Sequence, residues 1–292
     1  MSATGPDREG FLAWLRHQVG ALVFSLRPVR VKSVLLLWPA TIYAWLRPGP
    51  RIPDVQSMPD WPAGYAGPVC DRSPEAMYEG MRRGFHLMQH WGPWKWWSPP
   101  QRAVTWLEDV HVPRKLRKHV RKAGYRVTFD TAFDDVLRRC GMPRRRFGIT
   151  WLRPDVRQMF SRMHALGLAH SVEVWDEAGN LVGGGFGVAA GPVFSGYSLF
   201  HTEDNASKIA VISLCHHLHA WGMRMIDHQR PANWSVEQGA ILIEREEFLA
   251  NVAQPGPPCS RPGVWTAQFT AEESALWNPR AAASSTIASA ID

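Results

Sequence analysis

The stretch from His170 to Asp227 leaves few folds open to this chain. "HSVEVWD" (170–176) alternates apolar and polar residues as a half-buried strand does, and "EAGN" (177–180) carries the turn chemistry of a hairpin. "LVGGGFGVAA" (181–190) reads as a second strand and "PVFSGYSLF" (192–200) as a third. "NASKIAVISLCHHLHAWG" (205–222) reads as a helix capped by Asn205 or Ser207 and stopped by Gly222. "MRMID" (223–227) adds a fourth strand. Successive antiparallel strands, then a helix, then a strand, describe an α+β core. The glycines at 183 to 185 weaken a strand, so they signal a bulge or a close backbone approach.

The last of these strands ends in an acid, and Gln229 follows two residues later. In an extended chain, residues two apart point to the same side, so Asp227 and Gln229 would face one place together. The spacing alone equally describes a polar turn in solvent.

Upstream, residues 74 to 84 read as a short helix with Ser73 as cap, Pro74 at its first position and Gly84 at its end. A Trp-rich loop, "HWGPWKWWSPPQRAV", precedes a strand. Residues 113 to 126 hold seven basic residues and no acid, with Arg114, Arg117 or Lys118, and Arg121 spaced for one helical face. That run reads as a solvated face or as a phosphate-binding one. "YRVTFDTAFDDVLRRC" reads as strand then helix, and "RRRFGITWLRPDVRQMFSRMHALG" as a basic turn and a second amphipathic helix.

Charge narrows the partners. Lys plus Arg number 33 against 26 acids in 292 residues, a net +7, which favours nucleic acid first and an acidic membrane surface second. Fifteen Trp suit base stacking as well as core filling. Cys70, Cys140, Cys215 and Cys259 form no CxxC pair and read as reduced thiols of a cytosolic protein. Residues 8 to 27 look like a basic amphipathic helix. The apolar run 34 to 46 is 13 residues long and holds Pro39, short of the roughly 20 needed to span a bilayer. This region reads as a helical extension on the body, with weak membrane contact through residues 8–46 as the alternative. No signal peptide stands out. His216 and His219 lie one turn apart without a matched carboxylate, so no metal site is expected.

"WWSPPQRAV" (96–104), "TW" (150–151), "LGLAHSVEVWD" (166–176), "LVGG" (181–184), "NASK" (205–208) and "IDHQ" (226–229) occur in that order. Together they resemble the leucyl/phenylalanyl-tRNA–protein transferases, from about Ser73 to about Leu249. The resemblance implies an acyltransferase-like core, of the N-acetyltransferase type, behind a smaller N-terminal domain. The expected layout is an extension and linker over 1–60, a small domain over 61–112, the transfer domain over 113–255 and a flexible tail over 256–292. It implies transfer of Leu or Phe from aminoacyl-tRNA to an acceptor protein's N-terminus, marking it for degradation, by a cytoplasmic monomer without cofactors.

The donor ester is already activated, so no protein nucleophile is required. A carboxylate near the attacking amine can position it and accept charge, and a carboxamide can donate to the developing oxyanion. Asp227 and Gln229 fall on the family's Asp-x-Gln. By resemblance, Gly185, Phe186, Phe194 and Leu199 line the amino-acid pocket, and Tyr197 and Ser198 meet the acceptor. Trp97 and Trp151 stack on the terminal adenosine, and Arg114, Arg117, Lys118 and Arg121 hold the tRNA backbone. Gly185 stands where the family commonly has a larger apolar residue, which implies a wider pocket. Tyr197 replaces the acid of "GES", and Trp234 stands at a His position. Two rival readings remain: a tRNA-binding relative with lost or altered acceptor activity, and an acyl-CoA N-acyltransferase. The second lacks a glycine in "SLFHTEDNASK" to open a pyrophosphate cradle.

Overall fold

A computed structural model of the chain describes residues 52–56, 64–88, 93–122, 124–142, 150–236 and 239–280, with isolated helical positions before them. The expected basic helix at 8–27 and apolar run at 34–46 fall almost wholly outside the described residues, as does the basic turn at 143–149.

Two sheets form the frame. The smaller joins β1 (Tyr65–Pro68), β2 (His86–Met88) and β3 (Lys95–Trp97) in the order β1-β3-β2, with helix α1 (Pro74–Arg82) between the first two in sequence. Ser73 caps α1 by accepting from the Ala76 N–H, as its sequence indicates. The stretch expected as a Trp-rich loop thus contains strand β3, because Trp96 alternates inward and is buried.

The larger sheet holds seven strands. After β4 (Gln101–Trp106) come helix α2 (Arg114–Val120), β5 (Arg126–Phe129), α3 (Phe133–Cys140) and α4 (Pro154–Ala165). Then follow β6 (Ala169–Trp175), β7 (Leu181–Ala190), β8 (Val193–His201), α5 (Ala206–Ala220) and β9 (Met225–Asp227). A short helix α6 (Asn233–Val236), β10 (Ile241–Glu244) and α7 (Arg245–Val252) complete it. The order is β10-β4-β9-β8-β7-β6-β5, antiparallel except for β8 and β9. Parallel pairing there follows from α5, which returns the chain to the same end of the sheet.

Strand β4 corrects the expected boundary at residue 112. It inserts between β9 and β10, so the second sheet begins at Gln101. Helix α5 with α2 packs on one face, and α1, α3 and α4 pack on the other. The consecutive glycines 183 to 185 of β7 serve close approach. A Cβ on Gly183 would lie 2.7 Å from the Ala206 Cβ at the start of α5, and one on Gly184 2.5 Å from the Val172 carbonyl oxygen. The ladder also slips beside them, between Val174 and Trp175.

The tail expected to be loose is packed over much of its length. Trp265 is buried, stacks on His170 at 3.8 Å, and donates its backbone N–H to Asp130 Oδ2 at 2.8 Å. Helix α8 (Ala271–Leu276) starts with a complete Thr270–Glu273 capping box. Apolar area drives this docking, since Trp265 and Ala275 join the core under α5.

His217 secures the segment through its tautomer. Its Nδ1 lies 2.7 Å from the Ser213 carbonyl and must donate to it, so Nε2 accepts from the N–H groups of Gln268 at 2.9 Å and Phe269 at 3.0 Å. A proton on Nε2 would break both bonds. Burial lowers the pKa of His217, and burial followed by the His217 charge lowers that of His216 to about 4. A lowered histidine pKa contributes stability above the unfolded value near 6.5, which is lost as pH falls toward the folded value. The urea midpoint should therefore be flat above about pH 7 and fall between about pH 6.5 and 4. An unchanged midpoint at pH 4.5 would contradict this latch.

Candidate active site at the end of the central strands

Asp227 closes β9 opposite Val104 of β4 and beside Ser195 of β8. Arg102 lies two residues from Val104, so its side chain leaves β4 on the same face. The two ions meet with their charges out of water, Arg102 1% and Asp227 0% exposed. Arg102 Nε donates to Asp227 Oδ1 at 3.1 Å, and Nη2 donates to Oδ2 in a second, short bond. Ser195 Oγ donates to Oδ2 at 3.0 Å, and the Gln229 N–H to Oδ1 at 2.8 Å. A carboxylate offers about four acceptor positions, and here all are filled. Asp227 therefore does not reach an incoming amine, contrary to the sequence expectation.

Arg102 is also held on its far side. Nη1 donates to the Gly84 carbonyl at 3.2 Å and lies 3.2 Å from His86 Nδ1, and the Phe248 ring covers the guanidinium at 4.2 Å. His228 turns away from the pair, its Nε2 2.9 Å from Thr105 Oγ1, and burial lowers its pKa to about 4.

Gln229 is not in a strand. It has φ +67°, and its N–H bond to the Asp227 side chain two residues back makes an Asx turn. Strand alternation thus does not bring the two side chains together; the turn does. The Gln229 amide Nε2 then donates to the Gly196 carbonyl at 3.3 Å. That carbonyl stands at a β-bulge, because Gly187 pairs with Gly196 and Phe186 with Ser198, which leaves Tyr197 as the extra residue.

Tyr197 projects into an aromatic cluster. Its ring centroid lies 4.9 Å from Phe160, 5.9 Å from Trp151 and 6.1 Å from Phe186. Its hydroxyl is buried beside the Leu87 backbone, and burial pushes its pKa up. Trp151 thus joins the site through Tyr197. Trp97 joins through Arg230, whose guanidinium lies 5.8 Å from its ring centre, while its own Nε1 donates to the Met88 carbonyl at 3.2 Å.

The expected pocket lining is not gathered. Phe186 and Tyr197 pack on the face with α3 and α4, whereas Phe194 and Leu199 pack on the face with α5. Alternation along β8 turns Phe194 away from Tyr197, and the one-residue bulge turns Leu199 away as well. Nor does Gly185 open a wider space: a Cβ there would lie 2.4 Å from Leu199 Cδ2, so Leu199 fills it. Ser198 sits half-buried opposite Phe186.

The basic helix α2 lies at the other end of the sheet. Strand β4 passes Asp227 at Val104 and leaves at Trp106, opposite the first residue of β9. Arg114, Lys118 and Arg121 are exposed, while Arg117 donates its Nε to the Val112 carbonyl at 3.2 Å. His216 stacks on Phe269 at 3.9 Å, and among the described residues no group of three or more His, Cys, Asp or Glu could hold a metal ion. No helix among them is long and apolar enough to cross a membrane.

Sequence reasoning missed Arg102, Ser195 and His86. Arg102 left a signal, being an arginine in the middle of a strand that must find a partner if buried.

Fold and site together describe the class: a mixed α+β protein whose central strands end at a buried ion pair bearing a carboxamide turn. A model of the leucyl/phenylalanyl-tRNA protein transferase family matches residues 104–253. A leucyl/phenylalanyl-tRNA–protein transferase of Cellvibrio japonicus is 41% identical over 206 residues, 70% of this chain and 87% of its own. One of Aromatoleum aromaticum is 38% identical over 232 residues, 78% of this chain and 96% of its own. The chain belongs to the leucyl/phenylalanyl-tRNA protein transferase family. Among solved structures, L-PGS from Bacillus licheniformis aligns with TM-score 0.33 and 14% identity, over 52% of this chain and about half (48%) of that one.

The ion pair makes a stability prediction. Asp227→Ala leaves Arg102 charged and buried, which should cost about 3–5 kcal/mol in urea unfolding. The double change Arg102→Met with Asp227→Leu should recover most of the loss. A single mutant as stable as the parent would show that the pair does not carry this strand end.

Proposed function

We propose that this chain transfers leucine or phenylalanine from aminoacyl-tRNA to the N-terminal α-amine of an acceptor protein, marking it for degradation. The observation that carries this reading is Gln229, held by the Asp227 turn and the Gly196 carbonyl, in a chain segment whose Arg230 lies over the Trp97 ring. Family membership supports it. The core is read as an acyltransferase of the N-acetyltransferase type, acting in the cytoplasm as a monomer.

The amine must attack unprotonated, and its ordinary pKa is about 7.7–8.0. In this reading the Gln229 carboxamide accepts a hydrogen bond from the amine and aims its lone pair at the ester carbonyl. The new C–N bond forms as the C–O bond to the ribose breaks, and the proton lost by nitrogen ends on the ribose oxygen. Asp227 serves as a positioning residue, holding Gln229 through its N–H. Holding two reactants in line supplies most of the acceleration where the donor is already activated. Trp97 and Trp151 offer faces for the terminal adenosine, and Phe186 with the Tyr197 ring offers an apolar wall for the donor side chain. Tyr197 brings no charge to the acceptor's first side chain, so a cationic residue there gains no carboxylate partner.

Transfer of radiolabelled leucine from charged tRNA to a peptide tests the reading. The parent should transfer it, and Gln229→Ala should lower the rate at least about tenfold with little change in Tm. A parent that binds charged tRNA without transfer would favour a tRNA-binding relative.

The exposed basic residues of α2 are read as a contact for the tRNA backbone. Reversing Arg114, Lys118 and Arg121 to Glu should weaken binding of different elongator tRNAs about equally. It should also flatten the log–log salt dependence by roughly 0.7–0.9 per lost phosphate contact. A filter-binding salt series with an unchanged slope would mark α2 as a solvated face.

A further inference from the structure

His86 lies on β2 and is fully buried, and only its Nδ1 is used in the site described above. Its Nδ1 faces Arg102 Nη1 at 3.2 Å. A guanidinium only donates, so Nδ1 accepts and the ring proton sits on Nε2. Burial, and after it the charges of Arg102 and Arg230, hold the imidazole well below its ordinary pKa and therefore neutral. The tautomer is thus dictated by its neighbour, and Nε2–H is a donor. That atom is buried with no acceptor among the described residues. Buried donors are almost always paired, so an orphan here calls for a partner that arrives from outside.

The surroundings say which partner. His86 pairs across the small sheet with Trp97, and Arg230, over the Trp97 ring, directly follows Gln229. The Tyr197 hydroxyl is buried close by and meets the field of the same Asp227 and Arg102 charges. Cross-strand pairing puts His86 beside Trp97, where the reading above seats the tRNA end. That end offers two kinds of neutral oxygen: the ester carbonyl and the ribose hydroxyls.

We propose that His86 is a binding residue for the donor substrate, its Nε2–H donating to an oxygen of the terminal aminoacyl-adenosine. This rests on the function proposed above. Two substitutions separate it from a purely structural role. His86→Asn puts an amide oxygen where Nδ1 was, which keeps the acceptor for Arg102 and removes the Nε2 donor. His86→Gln reaches the Nε2 position with an amide N–H and gives up the Nδ1 acceptor.

The experiment measures Kd by calorimetry on the full chain, with 3′-leucylamido-adenosine, a non-hydrolysable amide, and with adenosine as probes. Thermal stability is read alongside. The proposal expects His86→Asn to bind the leucylamido probe about tenfold more weakly at near-parental Tm, the loss of one neutral hydrogen bond. It expects His86→Gln to stay within about threefold. A loss confined to the leucylamido probe assigns the bond to the acyl carbonyl, and a loss on both probes assigns it to the ribose. Either result supports the proposal. The opposite order, with Asn binding as the parent does and Gln losing stability, makes His86 a strut for Arg102 and overturns it. A parent that fails to bind the leucylamido probe overturns it together with the donor site. A parent that binds the probe yet transfers no leucine defeats only the proposed function.

Discussion

Arg102 donates two hydrogen bonds to Asp227 in a place that water does not reach. Neither charge could remain there alone, because an unpaired buried ion costs several kcal/mol. The pairing forces three elements into register at once. Strand β4 must present Arg102 beside β9, strand β8 must bring Ser195 to the second carboxylate oxygen, and the chain after β9 must turn so that the Gln229 N–H completes the set. Gln229 owes its position to this closure. A carboxylate that had kept a free lone pair for a substrate would have held its turn less firmly.

Around that pair the sheet departs from regularity in two places, and both departures serve the site. The bulge at Tyr197 adjoins Gly196, whose carbonyl accepts from the Gln229 amide. The glycines of β7 let α5 approach until the Ala206 methyl occupies the room a side chain would need. A close α5 returns the chain to β9 alongside β8, and that parallel pair sets Ser195 beside Asp227. Glycine spent in a strand weakens it locally. Here the local cost is offset by the packing of α5 against Val172, Val174 and Val182.

Much of this was legible in advance, for reasons visible in single residues. Ser73 and Pro74 announce α1 because caps act within one turn. Strand β6 shows itself through period-two alternation, and the hairpin turn at Asp176–Asn180 marks where β7 follows. Short β3 was hidden by its tryptophans, which suit a loop or a core strand equally until their partners are known. The docking of residues 258–280 was hidden too. Trp265 looks like one aromatic in a Pro- and Gly-rich tail, and only the groove beside His170 and Phe129 gives it a seat.

The sequence by itself determined the strands and helix of 170–227, the family and the identity of the carboxylate and carboxamide, because these depend on neighbours within a few positions or on motifs in order. It could not determine what those groups do. Asp227 and Gln229 lie two apart in either a strand or an Asx turn, and the choice rests on Arg102, 125 residues away in the chain. The pocket residues of β7 and β8 likewise share a motif but not a face, since a bulge of one residue exchanges the two sides of a strand. Tertiary structure decided both, because burial makes a charge seek its partner at whatever distance in sequence that partner lies.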